Sequence, residues 1–359
     1  MASGNDSHSS EFTLLQRTST DRWAAIKTMN PDEKDLYTAL PWRYFDVPVP
    51  KGPDEVDPGK GRTTKPEVAS HNRLMSLVGQ RTIVDQILNH ENIVSIVGSI
   101  DVEATPAATD PEAKPPKSYL VWDYCASYDL LTRYQQAQLL PPGFCNESNC
   151  WNVLTALLKA ITYLHDGKRL VEEGGGQRRW KAERSSWTPI LHGDIAPQNV
   201  CFQKRRHGDG DEMCKLANFR CAVVLDHVIS YGGEEEEEAD DLDEDGDTAT
   251  RAGRLESALE YETVERRNPH HHSIDTELCS LGRLVYTMMS GEGREQWIEK
   301  HYMERLSGPG SEYSVELRLV VRFLLARCSP VCGKRARRVL PLTKVVMEYF
   351  REWKRTHGS

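Results

Sequence analysis

Two short apolar runs, Ile190-Leu191 and Val200-Cys201-Phe202, bracket the polar stretch His192 to Asn199, and no other segment restricts the fold as tightly. Apolar runs beside turn-forming residues become core elements, so the stretch between them is a short connection anchored at both ends. Asp194 and Asn199 lie five residues apart on that connection. Taken singly, Asp194 reads as a turn-capping carboxylate and Asn199 as an amide at the start of a strand. Taken together, they hold a carboxylate and an amide on one fixed loop.

The chain has 359 residues, enough for two domains or one bilobal domain with tails. Its net charge of -9 is concentrated: residues 234–247 carry eleven Asp and Glu and no base, and without them the net charge is +2. A nearly neutral remainder gives no reason to expect nucleic-acid or membrane-surface binding. The acidic block cannot bury apolar area and is expected to be a solvated loop. Its sharper role is a docking strip for a basic protein partner, or for the chain's own Lys334, Arg335, Arg337 and Arg338. Nine cysteines at scattered spacings, three of them in apolar runs (Cys201, Cys221, Cys279), suggest buried thiols in a reducing compartment and no disulfide framework. His270-His271-His272 reads as an exposed loop. The first residues are polar and no apolar run is long enough for a membrane span, so the expected location is the cytoplasm or nucleus.

Residues 1–45 read as a mobile segment with one short helix around Trp23 to Met29. The next stretch, 46–66, is dominated by Pro, Gly and charge. Within it Gly59-Lys60-Gly61-Arg62-Thr63 lacks the glycine spacing and lead-in strand of a phosphate loop. Helical spacing of Leu74, Leu77, Val84, Ile87 and Leu88 predicts a helix over about 68–89, followed by strands at 94–100 and 119–125. Beyond residue 126 the pattern turns helical: Leu154 to Leu164, Leu278 to Met288, Leu317 to Arg327 and Val339 to Trp353. Two inserts interrupt this larger region, at 166–189 (three consecutive Gly and a basic stretch, read as a surface insertion) and at 232–255.

In this order the segments resemble the protein kinase family over roughly residues 68–350. The resemblance implies an α+β, bilobal fold, with a small β-rich N-lobe over 46–125 and a larger helical C-lobe over 126–355. It implies that Asp194 stands where a hydrogen bond is accepted from the attacking hydroxyl, and that Asn199 and Asn218 stand at the metal-ligand positions. ATP and Mg²⁺ are the cofactors it implies, with Cys125 and Asp129 at the hinge-like step where a nucleotide would sit and Trp122 just before it. His192 and Phe219 take the places of two hydrophobic-spine residues. Glu265 matches the residue that closes the activation segment, with Arg337 or Arg335 as its partner. Glu277, in Glu277-Leu278-Cys279-Ser280-Leu281-Gly282, stands in for an anchoring Asp, with Asp275 as a displaced alternative.

The departures from the family concentrate where charge must be neutralised. Gly193 replaces an Arg, Ala196 a Lys and Asn218 an Asp; Arg220 replaces a Gly. No Gly-rich loop is evident, no strand Lys is convincing, and Gln80 and Arg81 occupy the region of its Glu partner. Phosphoryl transfer depends on positioning and electrostatics, and one such lost group costs about 10² to 10³ in rate. The expectation is a pseudokinase-like binding or regulatory module. The alternatives are an active Ser/Thr-type kinase with a rearranged site, or a small-molecule phosphotransferase, in which Gly at position 193 is unremarkable.

Overall fold

The computed structural model describes the backbone of 12–17, 23–27 and 36–41, together with 89–101, 118–123, 129–137, 145–173, 177–204, 212–225, 228–231, 237–238, 248–259, 261–263, 273–290, 306, 312–327 and 334–357. It is a mixed α+β structure. Five strands, β1 (Phe12–Arg17), β2 (Trp23–Lys27), β3 (Leu36–Pro41), β4 (Ile96–Asp101) and β5 (Ser118–Asp123), form an antiparallel sheet in the order β1-β2-β3-β5-β4. Trp23–Lys27, expected as a short helix in a mobile lead-in, is thus a strand. Ala25 faces Leu14 on one side and Tyr37 on the other, and ladders on both edges satisfy backbone groups that a lone helical turn would leave open. The helix expected over 68–89 lies almost wholly outside the described residues.

Two helices follow, α1 (Leu130–Ala137) and α2 (Glu147–Asp166). The start of α2 is fixed by Asn146, whose Oδ1 accepts the Asn149 N–H at 2.8 Å. Its end is fixed by Gly167 at φ 60°, a left-handed cap where a Cβ would run into the Trp187 indole. Residues 153 to 158 of α2 are all buried, which makes it the central helix of the core.

The insertion after α2 is no irregular loop. Strands β6 (Lys168–Glu172) and β7 (Arg178–Ala182) form a hairpin, and the next two strands are β8 (Ser186–Trp187) and β9 (Ile190–Leu191). The chain continues through a 3₁₀ turn (Pro197–Asn199), the hairpin β10 (Val200–Lys204) and β11 (Glu212–Leu216), and a second 3₁₀ turn (Phe219–Cys221). It then returns to the insertion. β12 (Val223–Val224) pairs with β9, β13 (Ile229–Ser230) with β8, and β14 (Glu237–Glu238) with β7. Part of the acidic block is therefore an edge strand, and it lies on the basic hairpin rather than on Lys334 to Arg338.

Helix α3 (Thr248–Ser257) follows the acidic block, then β15 (Tyr261–Thr263), α4 (Ile274–Ser290), α5 (Val315–Ala326), β16 (Lys334–Ala336) and α6 (Leu340–His357). Residues 334–336 are engaged by β15, with Glu262 opposite Arg335. Helices α4 and α5 cross closely at Gly282, where a Cβ would come within 2.8 Å of the Leu324 Cβ. Arg251 of α3 ties α5 and α6 together through Glu316 and, at 2.6 Å, Glu352. The expected buried thiols divide: Cys221 is exposed, Cys201 is half-buried, and Cys279 is disulfide-bonded to a residue outside the described ones. No helix among the described residues is long and apolar enough to cross a membrane.

Candidate functional site

Both ends of the 192–199 connection are pinned in the core, as its flanking apolar runs require: Ile190 and Leu191 pair with Val224 and Val223, and Val200 with Leu216. Within it, Asp194, Asn199 and Asn218 converge. The Asn199 Nδ2 donates to the Asp194 carboxylate at 2.8 Å and to its backbone carbonyl at 2.7 Å. Both acceptors are oxygens without a proton, so the other end of the Asn199 amide must be its oxygen. That oxygen accepts the Asn218 Nδ2–H at 2.9 Å. The three side chains therefore form a one-way chain of amide donors ending on a carboxylate. Asn218 reaches this position from a left-handed backbone, φ 67° and ψ 70°, which Asn tolerates better than most residues.

Beneath the chain lies a neutral histidine. His192 is buried, and burial lowers its pKa to about 4 against the opposing pull of the Ala217 carbonyl and Asp194. Its Nε2–H then donates to Ala217 O at 2.9 Å, and Nδ1 accepts the Asp194 N–H at 3.3 Å. The Phe219 ring meets His192 edge-on at 4.8 Å and stacks on Trp122 of β5 at 6.4 Å. Those contacts bind the five-stranded sheet to the two loops.

Glu277, in the first turn of α4, holds the connection from below: its Oε1 accepts the Gly193 N–H at 2.7 Å. Asp275, the displaced alternative, instead accepts the Ala336 N–H at 3.2 Å. Burial pushes the Glu277 carboxyl up to about 7, with the N–H groups of Gly193 and His192 pulling the other way, and Oε2 has no hydrogen-bond partner among the described residues. Gly193 is required by geometry. Its φ is 76°, and a Cβ there would lie 2.5 Å from the Cys221 carbonyl oxygen. No pattern in the sequence announced that approach, because it depends on where the 219–221 turn falls.

Asp129 does not join this group. Its Oδ1 accepts the Thr132 N–H at 2.7 Å and so caps α1. Arg337 is exposed just after β16; Cys125 and Glu265 lie outside the described residues, and with them the expected Glu265–Arg337 pair. Sequence reasoning also missed Asp166, whose Oδ2 accepts the N–H groups of Val339 at 2.8 Å and Leu340 at 2.6 Å, donors that find no acceptor within the first turn of α6. As a donor set for a metal, the converged residues offer one carboxylate and two amides, with one amide oxygen already occupied. Among the described residues no group of three or more His, Cys, Asp or Glu could hold an ion. Compared with known proteins, the chain matches no family model and no curated protein.

Proposed function

We propose that this chain is a protein kinase-like module that has lost phosphoryl transfer and works by binding a protein partner. The observation that carries the reading is the bond from Asn218 Nδ2 to Asn199 Oδ1 at 2.9 Å. In an active kinase that Asn oxygen and a neighbouring carboxylate face Mg²⁺, a hard cation that takes oxygen ligands. Here an N–H takes one lone pair of that oxygen and Asn218 brings no second carboxylate, so the polar group is satisfied without a cation and the set of one carboxylate and two amides is a poor fit to Mg²⁺. The sheet supports the same reading. Its third strand, Leu36-Tyr37-Thr38-Ala39-Leu40-Pro41, has no lysine, and residues 18–22 between β1 and β2 have no glycine. A glycine-rich loop and a β3 lysine are what hold the phosphates in the family. The sheet ending at Asp123 and the helices that follow support a bilobal arrangement, and Glu277 beneath Gly193 supports its assignment as the anchoring residue. The partner suggested by charge is a protein whose basic surface meets residues 234–247.

The competing reading is an active kinase with a rearranged site. It rests on Lys27, which ends β2 in Ala24-Ala25-Ile26-Lys27 and is the single lysine in the five strands. Thermal unfolding with ATP, alone and with Mg²⁺ or Mn²⁺, separates the two, because ligand binding to the native state raises the midpoint. We expect no metal-dependent rise and phosphoryl transfer at background. Turnover abolished by both Asp194→Ala and Lys27→Ala would overturn the proposal in favour of the second reading.

A further inference from the structure

The two insertions meet in a three-stranded sheet of order β14-β7-β6, in which β7 is central and Glu237–Glu238, the described residues of β14, pair with its outer edge. The register sets Glu238 opposite Arg179 and Glu237 opposite Trp180. Opposed residues in an antiparallel pair share a face of the sheet, and successive residues alternate. One face of β7 therefore shows Arg179 and Lys181, and the other carries Trp180, buried but outside the main apolar core. Over residues 168–184 the hairpin holds six bases and three acids. Within the hairpin Glu173 lies 3.7 Å from Arg179, Glu172 3.8 Å from Arg178 and Glu183 2.8 Å from Arg169.

A strand laid along all of β7 in the same register would place one residue opposite Lys181, one opposite Trp180 and one opposite Arg179. Complementarity calls for acidic, apolar, acidic. The chain's own strand sets Glu238 opposite Arg179 but Glu237, a second glutamate, opposite a buried indole, where charge is costly. We propose that the edge of β7 is a docking site for an extended peptide of acidic–apolar–acidic pattern, and that β14 occupies it in cis as a replaceable strap. Main-chain ladder bonds supply the affinity and the alternation supplies the selection, as in other cases of strand addition. The site is independent of whether Asp194 ever meets a nucleotide.

The test is a titration of a labelled synthetic peptide containing Glu-Glu-Val-Glu-Glu into three forms of the full chain: wild type, a deletion of 234–247, and Glu237→Pro with Glu238→Pro. The prolines keep β14 from pairing while sparing the rest of the acidic block. A tethered competitor acts at an effective concentration near the millimolar range. Both altered chains should bind the peptide at least about tenfold more tightly than wild type. A peptide with Pro in place of Val, identical in charge, should lose binding to all three, and Arg179→Glu with Lys181→Glu should lose it in the deletion background. Equal affinity across the three chains, no binding to either altered chain, or undiminished binding of the proline peptide would overturn the proposal.

Discussion

Asn218 holds its place through one amide donor, so replacing that donor by an acceptor inverts the chemistry of the group. Asn218→Asp sets a carboxylate against the Asn199 oxygen and near the Asp194 charge. The variant should melt below wild type in the absence of cations, and millimolar Mg²⁺ should recover part of the loss in the variant alone. Gly193 carries a constraint of another kind. Gly193→Ala forces a left-handed backbone, worth about 1 to 2 kcal/mol, and brings its Cβ onto Cys221 O. Urea unfolding should show at least that loss, and an Arg at this position should fare no better. Glu277 gives a pH signature. Its carboxyl titrates at about 7 when folded against 4.5 otherwise, so the folded state binds the extra proton between those values and stability falls as pH rises through that window. The slope is at most about 1.4 kcal/mol per pH unit. His192 and His90, depressed to about 4 and about 3, act oppositely, losing stability as pH falls below 6.5. Both histidines remain in Glu277→Gln and cancel in the comparison. The melting difference should therefore move in favour of Gln as pH rises from 4.5 to 7, and a pH-independent difference would assign Glu277 no titrating role.

Elements are joined here by single buried groups, and Asp166 is the clearest of them. It ends α2, receives the Tyr231 hydroxyl on its carbonyl, and accepts two N–H groups at the start of α6. Asp166→Ala would strand those two donors, at a cost of roughly 2 to 4 kcal/mol. Denaturant unfolding should register it, and hydrogen exchange should locate the loss at residues 339–343. Asp166 also shows what sequence patterns conceal. The helices were legible because Leu154, Leu157, Leu158 and Ile161 recur at helical spacing. The convergence of Asp194, Asn199 and Asn218 was expected from the resemblance to the protein kinase family, and the apolar runs beside His192 to Asn199 account only for the anchoring of that one loop. Trp23–Lys27 was misread as a helix because Ala-Ala within five residues carries no alternation, and only its neighbours on both edges make it a strand. The hairpin 168–182 was hidden by its charge and by Gly174 to Gly176, since its partner strands arrive some fifty residues later in the chain.

Across the whole molecule the acidic block dominates the net charge, and its composition gives it little apolar area to bury. Glu237–Glu238, its described residues, pair with β7, and the anchors of α3 begin after the block, with Arg251 on Glu316 and Glu352 and the Tyr349 hydroxyl donating to Arg251 O at 2.8 Å. Deleting 234–247 should therefore leave a single cooperative transition and shift its midpoint by no more than about 3 °C, within the range that a change below 1 kcal/mol produces. A broadened or split transition would give the block a structural role that its two ladder residues do not explain.

The pairing of Trp187 with Ile229 has a topological consequence for anyone wishing to modify this protein. Residues 188–228, which carry His192, Asp194, Asn199, Asn218 and Phe219, therefore begin and end side by side, and inside that span the body holds Gly193 through Glu277, Phe219 through Trp122 and Leu216 through Val94. The entropy cost of a closed loop grows only with the logarithm of its length. A reporter sequence spliced between Lys204 and Glu212 should therefore leave that pairing, and the amide chain above His192, undisturbed.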